Sequence, residues 1–142
     1  MTPRQIELVQ QTFKQVVPVR LEVARLFYGR LFWLDPTLKR LFHGNLEEQG
    51  DKLTATLARV VGELHRVHTV LDAIKGLAIR HVEYGVEDRH YATVGSALLW
   101  TLGQGLGSAF TDEVKEAWTA AYGLLSGTMM EAARESRLAQ SA

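Results

Sequence analysis

The chain contains no cysteine. Disulfides and thiolate metal sites are therefore excluded, and a reducing cytoplasm suits it. Proline occurs only three times, always within the first 36 residues. Beyond them no proline ring interrupts a helix. There is no surplus of charge either: 16 Lys and Arg face 16 Asp and Glu, for a formal net charge of zero. Binding to a phosphate backbone then has no electrostatic drive, and nucleic acid is not an expected partner. No apolar run approaches the roughly 18 residues of a membrane span. The start, "MTPRQIELVQ", lacks the apolar core of a signal peptide. Sustained strand alternation, internal repeats and low-complexity tracts are also missing.

What is present is helical periodicity. Thr2, Pro3 and Gln5 read as a cap, a first-turn proline and a capping-box glutamine, followed by Ile6, Val9, Phe13 and Val16 at helical spacing. Pro18 marks a break. Leu21, Arg25, Tyr28 and Phe32 recur in the next helix, with Phe27 and Leu31 widening the stripe, and "LDP" at 34–36 ends it. A helical turn, "PTLKRLF", precedes the polar loop "HGNLEEQG". Leu53, Leu57, Val60 and Leu64 form a third stripe, which "HRVHT" interrupts. Leu71, Ile74, Leu77, Ala78 and His81 form a fourth, closed by Gly85 as a C-terminal cap. Tyr91, Val94, Leu98 and Leu102 follow until the glycines of "LGQGLGS" loosen the chain. The last helix starts at Thr111 and buries Val114, Ala117, Trp118, Ala121, Leu125, Thr128, Met129 and Ala132. The expectation is one all-α domain over 1–142, with six longer helices and one short one.

Five histidines compete for chemistry. His81 continues an apolar stripe and should point inward. It reads either as a hydrogen-bonded core histidine or as an axial ligand. A single protein ligand holds a bare ion poorly, but it can hold haem iron, where the porphyrin supplies four nitrogens. His65 and His68 lack the further ligands of a zinc set. His43 lies in a polar loop, and His90 should sit at the surface near a helix start. "GQGLGS" lacks the third glycine of a dinucleotide loop and does not follow a strand, so it reads as a helix end. No nucleophile-elbow motif occurs.

Three stretches, "LFYGRLFWLDPTLKRLF" (26–42), "RHVEYGVEDRHYATVGSALL" (80–99) and "EAWTAAYGLL" (116–125), occur in the order and pattern of the bacterial globins. The chain resembles the flavohaemoglobin and single-domain haemoglobin branch over nearly its whole length. That resemblance implies the globin fold, a three-over-three helical sandwich around haem b. It makes His81 the proximal ligand, Phe42 the ring packed on the porphyrin and Tyr28 the distal tyrosine. Gln49, 32 residues before His81, becomes the distal glutamine, with Leu53 one turn on and Leu57 behind it. A rival register would put Lys52 in the distal place and turn Thr56 toward the iron. The Gln49 register is preferred because it sets Leu53 and Leu57 on one inward face. Tyr91 corresponds to the proximal tyrosine. Its carboxylate partner would be Glu135, with Glu131 as a substitute one turn earlier.

In such a site Tyr28 and Gln49 would donate to bound O2. Each charge-assisted bond would be worth about 1.5–3 kcal/mol, slowing O2 loss roughly 10- to 100-fold. CO would gain less from the same donors. A carboxylate acting through Tyr91 would make His81 more electron-donating, as in nitric oxide dioxygenation. The flavohaemoglobins append a flavin- and nicotinamide-binding reductase. This chain shows no such module, so a separate reductase would have to return electrons. Three readings stand: a reversible O2-binding protein that also takes NO and CO; a nitric oxide dioxygenase with an external reductase; and a haem-free helical adaptor. A monomer or a homodimer fits each of them.

Overall fold

The computed structural model describes residues 1–42 and 44–141. The loop reading of His43, and the final residue of the expected domain, lie outside the described residues. Helix α1, Pro3–Val16, starts as its sequence predicts. The Thr2 hydroxyl accepts the Gln5 amide and the Gln5 side chain accepts the Thr2 amide, so two N-terminal donors are satisfied. Pro18 sits in a single 3-10 turn, Val17–Val19, before α2, Arg20–Leu34. Here the expected stripe is corrected. Leu21 is 51% exposed and Arg25 also faces solvent, whereas Phe27, Tyr28 and Leu31 are buried. Leu21 lies in the first turn of α2, outside the core cluster, so its periodicity meets no partner.

Asp35 accepts the Thr37 amide and caps the 3-10 segment Pro36–Leu41. Helix α3, Leu46–Gly62, opens on Asn45, whose side chain accepts the Glu47 amide at 2.7 Å. The break at "HRVHT" is the 3-10 segment Leu64–Thr69, with Arg66 outside helical geometry. Helix α4, Leu71–Glu83, ends before Gly85, whose φ of 93° is the left-handed conformation a C-terminal glycine supplies. Helix α5, Asp88–Leu106, outlasts the loosening expected of its glycines. A Cβ on Gly103 would stand 3.4 Å from Phe110, and one on Gly105 3.4 Å from Val23. Small residues there let neighbours pack closely while the backbone stays helical. Helix α6, Asp112–Ser141, starts with the Thr111 hydroxyl accepting the Val114 amide.

α2 packs on α5 and α3, while α1 and α4 pack on α6. One hydrophobic cluster draws residues from all six helices. At its centre the Trp118 indole N–H donates to the Thr12 hydroxyl at 2.9 Å, and that hydroxyl donates to the Leu8 carbonyl at 2.7 Å. Neither polar group is left unpaired in the core. Among the described residues there is no strand, and no helix is long and apolar enough to cross a membrane.

Candidate functional site

On α4, the stripe that carries Ile74 and Ala78 inward also carries His81, which is half-buried. Its Nδ1 stands 2.8 Å from the carbonyl oxygen of Leu77, one turn earlier. A carbonyl only accepts, so Nδ1 bears the proton and Nε2 keeps its lone pair. Burial holds the imidazole's pKa below its ordinary 6.5; the Leu77 bond opposes this and the nearby Arg80 charge adds to it. The side chain is therefore a neutral imidazole with one nitrogen tied down and the other available as a ligand.

On α2, Tyr28 is buried within an aromatic cluster. Its ring centre lies 5.2 Å from that of Phe27, 5.4 Å from that of Phe42 and 6.1 Å from that of Phe32. Burial pushes its pKa up to about 12, so the hydroxyl keeps its proton and can donate. Among the described residues that hydroxyl makes no hydrogen bond. Gly50 brings α3 against this cluster, since a Cβ on it would stand 2.8 Å from Cβ of Ala24 and 3.9 Å from the Tyr28 ring. Gln49 precedes that contact and is half-buried, whereas Lys52, the rival distal residue, is exposed. Leu53 and Leu57 are half-buried and line an apolar cavity of about 40 Å³ with Phe27, Leu98 and Trp118. Thr54 and Thr101 also line it, but both hydroxyls donate to backbone carbonyls of their own helices. Tyr28 is not among its walls, and among the described residues Arg20 is the one charged residue that borders it.

Tyr91, on α5, is buried, and its hydroxyl has no partner among the described residues. Its backbone is fixed by Tyr122, whose hydroxyl donates to the Tyr91 carbonyl at 2.7 Å. Glu135 and Glu131 both lie on the exposed side of α6, and neither makes a hydrogen bond to Tyr91. The charged groups that act on Tyr91 are Asp88 and Arg137. Tyr28 and Phe42 thus come together with the α3 segment bearing Gln49, and Tyr91 and Glu135 do not meet.

The other described histidines bring one correction. His65 and His68 are exposed. His90 is not a surface residue: it is 4% exposed, and its Nδ1 accepts the Glu87 amide at 2.9 Å. It completes a capping box at the start of α5, so burial follows from capping. No cluster of three or more metal-ligating side chains occurs among the described residues. Sequence reasoning missed the Tyr122–Tyr91 contact and the close approach at Gly50. Tyr122 lies inside "AWTAAYG", where a signal was present; Gly50 gave none.

A family model described as Globin matches residues 25–129. The chain belongs to the globin family. This globin is 33% identical over 129 residues to a flavohemoprotein of Bordetella pertussis, covering 86% of the chain and 32% of the relative. A flavohemoprotein of Vibrio cholerae is 28% identical over 134 residues, covering 92% and 34%. The chain therefore spans about a third of the length of these curated relatives. Among solved structures, it superposes with a TM-score of 0.90 on an engineered carbene transferase from Rhodothermus marinus, provisionally described as a nitric oxide dioxygenase. Sequence identity there is 20%, over 100% of this chain and 99% of that one. A bacterial globin from Campylobacter jejuni gives a TM-score of 0.83 at 22% identity, over 94% and 97%. These likenesses establish the globin fold.

Globin membership implies haem, and the side chains of this globin fit one. Nε2 of His81 is free to ligate while Nδ1 is anchored. Phe42, Leu77, Val86 and Val94 pack against the core yet stay half-buried, as apolar walls do when a flat apolar group completes them. Tyr28 and Tyr91 are both buried, and among the described residues the Tyr91 hydroxyl has no hydrogen-bond partner.

Proposed function

We propose that this globin binds haem b through His81 and reversibly carries O2, with NO and CO as further diatomic ligands. The observation that carries the reading is the pairing of two protonation states. The Leu77 carbonyl holds the His81 proton on Nδ1 and leaves Nε2 as the ligating nitrogen, and burial raises the Tyr28 pKa so that its hydroxyl keeps a proton to donate. Haem, when bound, would supply the iron that takes up a diatomic gas. Leu77 fixes the tautomer and rotation of His81, so the ring meets its ligand without an entropic penalty for ordering. Tyr28 and Gln49 would donate to the bound gas, and Phe42 would pack on the haem. Leu53 and Leu57 keep water from competing for those donors.

The test is an absorption spectrum of freshly purified protein in its ferric, ferrous and CO forms. A Soret band is expected, and His81→Ala should lose it, with free imidazole partly restoring it. Colourless wild-type protein would end the reading in favour of a haem-free adaptor.

A second reading, nitric oxide dioxygenation with electrons from a separate reductase, draws on the similarity to flavohemoproteins and on the unpartnered Tyr91 hydroxyl. It needs a carboxylate to reach that hydroxyl, and Glu135 is the candidate despite its exposed position. Mixing the O2-bound protein with NO in the presence of a reductase distinguishes the two. Nitrate formed once and never again leaves the carrier reading standing.

A further inference from the structure

The segment between α4 and α5 is held by a side chain from the far end of the chain. Arg137 reaches from α6 and donates from Nη2 to the Val86 carbonyl at 3.3 Å and from Nη1 to Oδ1 of Asp88 at 3.3 Å. The amide of Val86 in turn donates to the His81 carbonyl at 2.9 Å. The imidazole of His81 is tied separately to Leu77. A continuous path therefore runs from the guanidinium through one residue, Val86, to the backbone of His81. Gly85, at φ 93°, makes this turn.

We propose that Arg137 is the positioning residue of His81, clamping Val86 so that the histidine keeps one backbone orientation. The inference rests on His81 being the haem ligand. The two bonds of Arg137 differ in weight. Its ion pair with Asp88 is open to water, with side chains 39% and 52% exposed, and screened pairs of that kind contribute little. The bond to Val86 is partly buried and satisfies a carbonyl that the turn leaves outside any helix. Arg137, together with Asp88, also acts electrostatically on Tyr91, so the clamp lies on the same side of the site as the unpartnered phenol. The last helix thereby senses, or sets, the seat of the proximal ligand.

The test uses the full chain, with Arg137→Ala, Arg137→Lys and Asp88→Asn. Amide exchange at Val86 is read in the haem-free protein, and the iron–histidine stretching band in the ferrous haem-bound protein. Arg137→Ala should speed Val86 exchange about tenfold, the worth of one hydrogen bond to a charged group, and should shift and broaden the band. Arg137→Lys should fall between it and the wild type. Asp88→Asn should stay close to wild type in both readouts, because the Val86 contact survives. Unchanged exchange and an unchanged band in Arg137→Ala would overturn the proposal. So would an Asp88→Asn variant that reproduces the whole effect, since the ion pair would then carry it. If Arg137→Ala does not fold, Arg137→Lys against Asp88→Asn decides by the same rule. Protein that holds no haem would overturn the proposed function instead, and Val86 exchange would still decide the clamp.

Discussion

Gly50 and Ala24 touch where α3 crosses α2, so closely that a Cβ on Gly50 would stand 2.8 Å from that of Ala24. This contact sets the height of Gln49, Leu53 and Leu57 above Tyr28. Backbone, not a movable side chain, carries the added atom, so the helices would have to part. Gly50→Ala should destabilise the protein by about 1–3 kcal/mol, the usual cost of overpacking. Gly62, on the same helix, has nothing within 4 Å of a Cβ, so Gly62→Ala should be neutral or stabilising. Urea denaturation of the pair checks this; equal effects would mean the close approach carries no energetic weight.

Tyr28→Phe removes a donor and changes little volume. In the haem-bound protein it should speed O2 dissociation about tenfold or more, the worth of one charge-assisted bond, and leave CO dissociation nearly unchanged. Flash photolysis or stopped-flow displacement reads both. An unchanged O2 off-rate would show that the hydroxyl does not reach the ligand.

Acid should weaken the haem-free fold through His81. In the folded protein burial lowers this group's pKa below 6.5, while the unfolded chain binds its proton near that value. Protons therefore favour the unfolded state. The contribution is fully present above pH 6.5 and is lost as pH falls through that value, until the folded imidazole also protonates. Stability measured by urea at a series of pH values should decline over this window. His81→Gln should flatten that decline, and an identical slope in the variant would assign it to other groups.

Trp118→Phe would cut the indole's hydrogen bond to Thr12 and widen the void its ring already borders. Lost packing and a lost buried bond together should cost about 2–4 kcal/mol. Thermal or urea unfolding gives the value. A cost below half a kilocalorie per mole would mean the core closes over the gap, as the sites that collapse well do.

Much of this molecule was legible from residue order because its information is local. Capping at Thr2, the stop at Asp35–Pro36 and the inward stripe ending in His81 each depend on neighbours within one or two helical turns. Periodicity failed at Leu21 because spacing describes a helix face, but not whether another element covers it, and the surface expectation for His90 failed for a separate, local reason. Leu21 lies past the edge of the core, and His90 is buried because its ring caps its own helix.

The amino-acid order by itself determined the all-α class, the capped starts of α1 and α6 and the stop at Asp35–Pro36. Only the tertiary structure decided that Glu135 faces water, that Tyr91 has no partner and that Arg137 reaches the turn after His81. Those facts depend on how α6 lies across α4 and α5, a matter of side-chain volumes on three helices at once, which no window of sequence contains.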